Sequence, residues 1–270
     1  MTITSILTYT GSIPWPTTTI MVGVHGNEKA GALALQKLLQ ENYSIDTGMV
    51  YFIYANLKAL QIDKRYIEKN MNRCFSETEP QTTYEAKRAK EIMGYLEQSD
   101  YLLDVHNTIN RYNSVPMLIS EYPKLGRYFD VSYIVSWFDK LHPGGSDSYM
   151  NSLGKIWLCI ECWSIYDDTW PKLALRSIKN FLRYAGNIQQ SPTEYTSQSY
   201  IRFYLIYKNK NIRFIFTRKF LDMEEITKGD IIAYDGPEPI IAQKDCYILF
   251  TQIPKNIWDE CFVLGNKELK

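Results

Sequence analysis

Histidine is the scarcest ionisable side chain in this 270-residue chain, with three copies, at positions 25, 106 and 142. Imidazole chemistry is thereby confined to very few places. A charge of one sign is also missing: 30 basic and 30 acidic residues cancel and no dense Lys/Arg block occurs, so nothing attracts nucleic acid or an anionic membrane in general. Neither is expected as a partner, which leaves a small molecule. The five cysteines, at 74, 159, 162, 246 and 261, are odd in number and scattered, which excludes a disulfide scaffold. With no charged region and long apolar core at the N-terminus, a cytoplasmic location is expected. No apolar run approaches the roughly 20 residues needed to span a bilayer, so a soluble protein is expected.

What is present is a 45% hydrophobic chain, enough for a full-sized core. Thr17 to Val24 is β-branched and apolar, whereas Lys29 to Glu41 places Ala32, Leu35, Leu38 and Leu39 on one helical face. Gly48 to Ala55 predicts a second strand, Glu85 to Gln98 a helix, and Tyr101 to Val105 a strand running into His106. Pro116 to Ile119, Val131 to Phe138 and Lys155 to Cys162 follow as strands, then a helix from about Trp170 to Ala185. The alternation predicts an α/β fold with a mostly parallel or mixed central sheet flanked by helices. Around 187–200 the chain turns rich in Gln, Ser, Thr and Pro. We therefore expect two domains, 1–195 and a small C-terminal β-rich domain, 196–270. In the latter, Phe203 to Tyr207 and Ile212 to Phe216 flank a short polar turn, as in a hairpin.

The change from strand to helix period falls on His25-Gly26-Asn27-Glu28. His106 ends another predicted strand, in Asp104-Val105-His106, and open α/β sheets gather their sites at such strand ends. Two imidazoles and a carboxylate form a zinc set with one position open to water, so the leading expectation is a metallohydrolase with one Zn2+ per chain held by His25, Glu28 and His106. Gly26 makes the connecting turn cheap because it lacks a Cβ. Asp104, on the same strand face as His106, could accept a hydrogen bond from it. Cys159 and Cys162 are three apart in a strand and point to opposite faces, which argues against a metal pair. Glu161 lies in the apolar stretch 156–163, where a charge is costly unless paired or functional. Arg65, Asn72 and Arg73 concentrate guanidinium and amide groups that could clamp a carboxylate. Ser132 and Ser136 lack a nucleophile-elbow context. His142, in the turn-rich 142–145, is expected to be structural or exposed.

The ordered set His25-Gly-Asn-Glu28, Arg65-Tyr66, Asn72-Arg73-Cys-Phe75, Asp104-Val-His106-Asn-Thr and Ile160-Glu161 resembles the succinylglutamate desuccinylase and aspartoacylase family of zinc hydrolases, relatives of the metallocarboxypeptidases. The match in motif order runs from about residue 19 to 163, and the tail is more weakly similar to that family's second domain. The resemblance implies that His25, Glu28 and His106 hold zinc, that Arg73 and Asn72 grip the substrate carboxylate, that Arg65 faces the scissile carbonyl, and that Glu161 activates the attacking water. The implied reaction is hydrolysis of the amide of a small anionic N-acyl amino acid. A carboxypeptidase acting on short peptides is the nearest rival, and a non-catalytic binding protein of the same fold is a further one.

Three departures from the family pattern bear on these rivals. Asn70 stands where the family usually has an acid, which could loosen support for the neighbouring arginines. Cys162-Trp163 replaces small residues behind Glu161, so the indole either narrows the pocket or packs under the sheet. Met150-Asn151-Ser152 occupies the region where aspartate-specific members carry another arginine; Lys155 or a residue of the tail could substitute, or the acyl group need not be acidic. An exposed edge or face of the β-rich tail could support a homo-oligomer.

Overall fold

The computed structural model describes residues 4–41, 43–108, 115–141, 143–166 and 170–268; His142 lies outside them. In chain order the elements are β1 (Ile6–Thr10), β2 (Thr17–Val22), α1 (Ala30–Gln40), β3 (Met49–Tyr54), α2 (Leu57–Gln61), α3 (Tyr84–Leu96), β4 (Tyr101–Thr108), β5 (Met117–Ile119), β6 (Tyr133–Ser136), α4 (Phe138–Leu141), α5 (Ser146–Ser152), β7 (Ile156–Ser164) and α6 (Trp170–Ala185). The remainder is strand: β8 (Ser199–Lys208), β9 (Phe214–Phe216), β10 (Glu224–Ile226), β11 (Ile231–Asp235), β12 (Glu238–Ile241), β13 (Cys246–Leu249) and β14 (Glu260–Lys267).

Eleven of these strands form one mixed sheet in the order β1-β3-β2-β4-β7-β5-β6-β8-β14-β13-β10. Its middle is parallel from β3 through β2 and β4 to β7, and these strands are buried on both faces, which is why they read as continuous apolar runs. Ile20, Val22, Leu103, Leu158 and Ile160 share one core with Leu35 and Leu38 of α1 and Phe181 of α6. Met21, Ile53, Leu102 and Trp157 pack on the other face with Ile92, Met93 and Leu96 of α3. From β2 the chain goes to β3 on one side, and β4 returns on the other. The sheet therefore opens a crevice toward the carboxyl ends of β2 and β4, with His25 past the end of β2 and His106 near the end of β4.

The predicted α/β sheet flanked by helices is observed. The hairpin expected across 203–216 does not form: β8 pairs with β6 and β14, while β9 pairs with β11 in a separate antiparallel sheet, β12-β11-β9. The turn between them is held by Asp235, whose carboxylate accepts from the N–H groups of Lys210 and Asn211 and from the Tyr207 hydroxyl. That carboxylate supplies the closure that direct pairing would have given.

Candidate metal and hydrolytic site

His25 lies three residues past the end of β2, and Glu28 sits just ahead of α1. Gly26 is required less for its turn than for its neighbour: a Cβ there would stand 2.1 Å from the carbonyl carbon of Ala59. His106 lies within β4, which continues to Thr108, beyond the end expected from the sequence. The β2–β4 register places Val22, the last residue of β2, beside Val105, so His106 comes alongside the loop that carries His25.

The three side chains converge. His25 Nδ1 and His106 Nδ1 each stand 2.8 Å from a different oxygen of Glu28, and one ligand atom from each residue lies within 4.8 Å of the others. All three residues are at most 4% exposed, so their charges must be balanced by neighbouring protein groups or by a bound cation. His25 Nδ1 approaches Glu28 without hydrogen-bond geometry and has no hydrogen-bond partner. A buried lone pair facing a carboxylate and a second imidazole is what a divalent cation would satisfy, and the nitrogen–oxygen donor set suits zinc. The residues present fit the ion.

Each outward nitrogen faces an oxygen, although His106 Nε2 does so without a hydrogen bond. His25 Nε2 is 2.9 Å from Asn70 Oδ1, and His106 Nε2 is 3.1 Å from Asp104 Oδ2, which accepts the Ser146 hydroxyl at 2.6 Å. Because the Asn70 acceptor takes the proton of Nε2, it leaves Nδ1 as the lone pair. Asn70 therefore supports a histidine as well as the segment bearing Arg73, whose N–H its backbone carbonyl accepts at 3.0 Å. Asn107 locks the frame further, its N–H donating to Glu28 Oε2 at 3.2 Å and its side chain bridging Ala30 N–H and the Trp163 carbonyl.

Burial opposes ionisation of Glu28, but the adjacent His25 and His106 hold its pKa well below the usual carboxylate range. Burial lowers the His25 pKa. It also works against a charged His106, yet Asp104 and Glu28 raise that pKa well above the usual imidazole value.

Glu161 is directly opposite His106 in the β4–β7 ladder, and so shares its face of the sheet. Burial pushes its pKa up to about 8, with His106 pulling the other way and Glu28 adding to the rise. Its Oε2 has no hydrogen-bond partner. Trp163, two residues on, does not narrow the pocket. A register shift between Asn107 and Thr108 turns it to the opposite side, where it packs on the core shared by α1 and α6. Cys159 and Cys162 fall in different cores, as their spacing requires.

Arg65 donates to Glu28 Oε1 at 2.9 Å. Arg73 and Asn72 line the same cavity of about 370 Å³ with Arg65, His25, Glu28, His106 and Glu161. Burial lowers the Arg73 pKa, while Glu260 and Asp147 favour its cation. The loop carrying these residues is pinned by the buried carboxylate of Glu85, which accepts from the N–H groups of Ile67, Glu68 and Lys69 and from the Asn56 amide. Asn56 also caps α2, so its part is structural. Gly144, at φ +87°, and Gly145 fit against Arg73, Asn72 and Asp147 where a Cβ would collide.

The sequence allowed for a residue of the tail at the site but named none. Phe250, Thr251, Gln252 and Glu260 complete the cavity wall, through strand pairing that no local pattern reveals. Lys155, a candidate second anion-binding group, instead spends Nζ on the carbonyl oxygens of Leu96 and Glu97.

Comparison with known proteins agrees with this arrangement. Residues 14–162 match the succinylglutamate desuccinylase/aspartoacylase catalytic domain. A "Probable aspartoacylase" of Nostoc sp. is 33% identical over 164 residues, covering 54% of each chain. An N-acyl-aromatic-L-amino acid amidohydrolase (carboxylate-forming) of Rattus norvegicus is 29% identical over 162 residues, covering 52% of this chain and 50% of that one. The chain thus spans about half the length of the curated relatives it matches. The crystal structure of a succinylglutamate desuccinylase/aspartoacylase from Rhodobacter sphaeroides superposes with a TM-score of 0.76 at 20% identity, covering 98% of this chain and 89% of that one, which shows the shared fold.

Proposed function

Given that the chain belongs to the succinylglutamate desuccinylase/aspartoacylase family, we propose that it is a zinc-dependent amidohydrolase cleaving the amide bond of small N-acyl amino acids. The observation that carries this reading is the buried convergence of His25, Glu28 and His106 with Glu161 opposite His106. Those three residues would hold one Zn2+, which when bound acidifies water and polarises a carbonyl.

The chain's own groups account for the rest. Glu161, ionised, takes a proton from the attacking water on its carboxylate, whose Oε2 has no hydrogen-bond partner, then delivers it to the departing nitrogen. Its raised pKa suits both halves of that exchange. Arg65, anchored to Glu28, presents fixed positive charge to the oxygen on which negative charge develops. Arg73 and Asn72 grip the substrate carboxylate. The Asn72 Oδ1 accepts the Ser146 N–H at 3.3 Å, which turns the amide so that its NH2 end serves as donor. The gain from this clamp is orientation, worth several kcal/mol when the reacting atoms are held in line.

The wall built by Phe250, Thr251, Gln252 and Glu260 favours a small amide over the open groove a peptide would need. Trp163 on the far face and Asn70 on His25 remove the reasons for a non-catalytic reading. The division into residues 1–195, bearing the metal set, and 196–270, closing the cavity, belongs to the same proposal. So does a cytoplasmic location, supported by five free, buried cysteines. Among the described residues no helix is long and apolar enough to cross a membrane.

Elemental analysis should find about one zinc per chain, and the protein should hydrolyse N-acyl amino acids while Glu161→Gln does not. Equal product from both proteins would refute the role of Glu161, and a zinc-free protein that is fully active would refute the metal.

A further inference from the structure

The walls of this cavity bear on the substrate's side chain, an inference that rests on the amidohydrolase reading. We propose that the substrate is an N-acyl amino acid whose only carboxylate is the one held by Arg73 and Asn72, and whose side chain is uncharged and apolar, seated against Phe138 and Phe250.

The charges come first. Of the two guanidinium groups lining the cavity among the described residues, Arg65 is tied to Glu28 at 2.9 Å, and Arg73 lies in the field of two carboxylates, Glu260 and Asp147. Both carboxylates line the cavity themselves. Lys208 Nζ stands 3.8 Å from Glu260 Oε1 and lies outside the lining. A second carboxylate on the substrate would meet carboxylates of its own sign, in surroundings that penalise an unpaired charge.

The apolar surface comes second, and independently. Phe138 and Phe250 meet edge to face with centroids 5.9 Å apart, and Phe138 also contacts Phe203 at 6.2 Å. Ile119 and Cys159, register partners on β5 and β7, extend this wall toward the metal set. Phe250 is held at φ +54°, a left-handed conformation that a bulky side chain adopts only when its surroundings impose it. Its N–H donates to Asp222 Oδ1 at 3.1 Å. The fold thus sustains an unfavourable backbone to set a phenyl ring on the cavity rim, where it offers a flat apolar contact.

The test is calorimetric titration of zinc-loaded Glu161→Gln protein with N-acetyl-L-phenylalanine, N-acetyl-L-aspartate and N-acetyl-L-lysine. The phenylalanine compound should bind at least tenfold tighter than either of the others. Glu260→Gln in the same background should narrow the ratio to aspartate. Phe138→Ala should weaken the phenylalanine compound while leaving N-acetylglycine unchanged, a pattern general loosening would not produce. Aspartate or lysine compounds binding as tightly as phenylalanine would overturn the side-chain assignment and leave the amidohydrolase reading intact. If none binds, the amidohydrolase reading fails and the assignment with it. Should Glu161→Gln not fold, the ratio of kcat/KM for the three compounds on the wild-type protein reads the same discrimination.

Discussion

Glu161 offers a prediction that needs neither substrate nor metal. Its carboxyl rises from an ordinary 4.5 to about 8 on burial between Glu28 and the apolar sheet. A group whose folded pKa is raised binds its proton more tightly in the folded state, so unfolding releases that proton and becomes easier as pH rises. Below about pH 4.5 both states hold the proton and Glu161 costs nothing. Between about 4.5 and 8 the unfolded chain ionises while the folded chain does not, and stability falls through that window. At ~1.36 kcal/mol per pH unit, the ceiling is about 5 kcal/mol; its interaction with His106 and Glu28 makes a loss of a few kcal/mol the expectation. Urea unfolding of metal-stripped wild type and Glu161→Gln at intervals from pH 5 to 8 checks this, because the substitution removes one titration and retains the rest of the cluster. The wild-type curve should start near that of the variant and drop away from it as pH rises. Zinc should reverse the trend, since a cation beside Glu161 favours the carboxylate. Stability curves that stay parallel across the window would show that Glu161 is not held protonated, and the account of its environment would be wrong.

Arg73→Lys keeps the charge but loses the planar fork, so KM should rise about tenfold with kcat little changed, read by steady-state kinetics. Asn70→Leu leaves His25 Nε2 without its acceptor and should weaken zinc binding about 10- to 100-fold in a competition titration with a chromogenic chelator, with little change in the far-ultraviolet spectrum. Gly26→Ala forces a methyl group to within 2.1 Å of the Ala59 carbonyl carbon. Thermal unfolding should report a loss of about 1–3 kcal/mol, together with weaker zinc retention because His25 and Glu28 flank the displaced turn.

The metal set was readable from the sequence because scarcity and period coincide on it. Two of only three histidines fall where strand patterns end, and a carboxylate follows the first of them at the point where the helical period begins. Glu161 was readable for a different reason, as a charge in an otherwise apolar strand. What could not be read depends on partners distant in the chain. Periodicity says which face a side chain takes, yet it cannot say which strand will lie alongside, so the joining of β8 to β6 and the arrival of Phe250 and Glu260 at the cavity left no local trace. Trp163 shows the limit at its sharpest. Strict alternation from Glu161 puts the indole on the same face as that carboxylate, where it would fill the site. One residue of register shift against β4 sends it to the other core. A bulge of this kind is set by the neighbouring strand, through Asn107 holding both the Trp163 carbonyl and the Ala30 N–H. The residue that braces Glu28 from below is therefore also the one that keeps the cavity clear, and the openness of the site depends on a strand pairing as much as on the residues lining it.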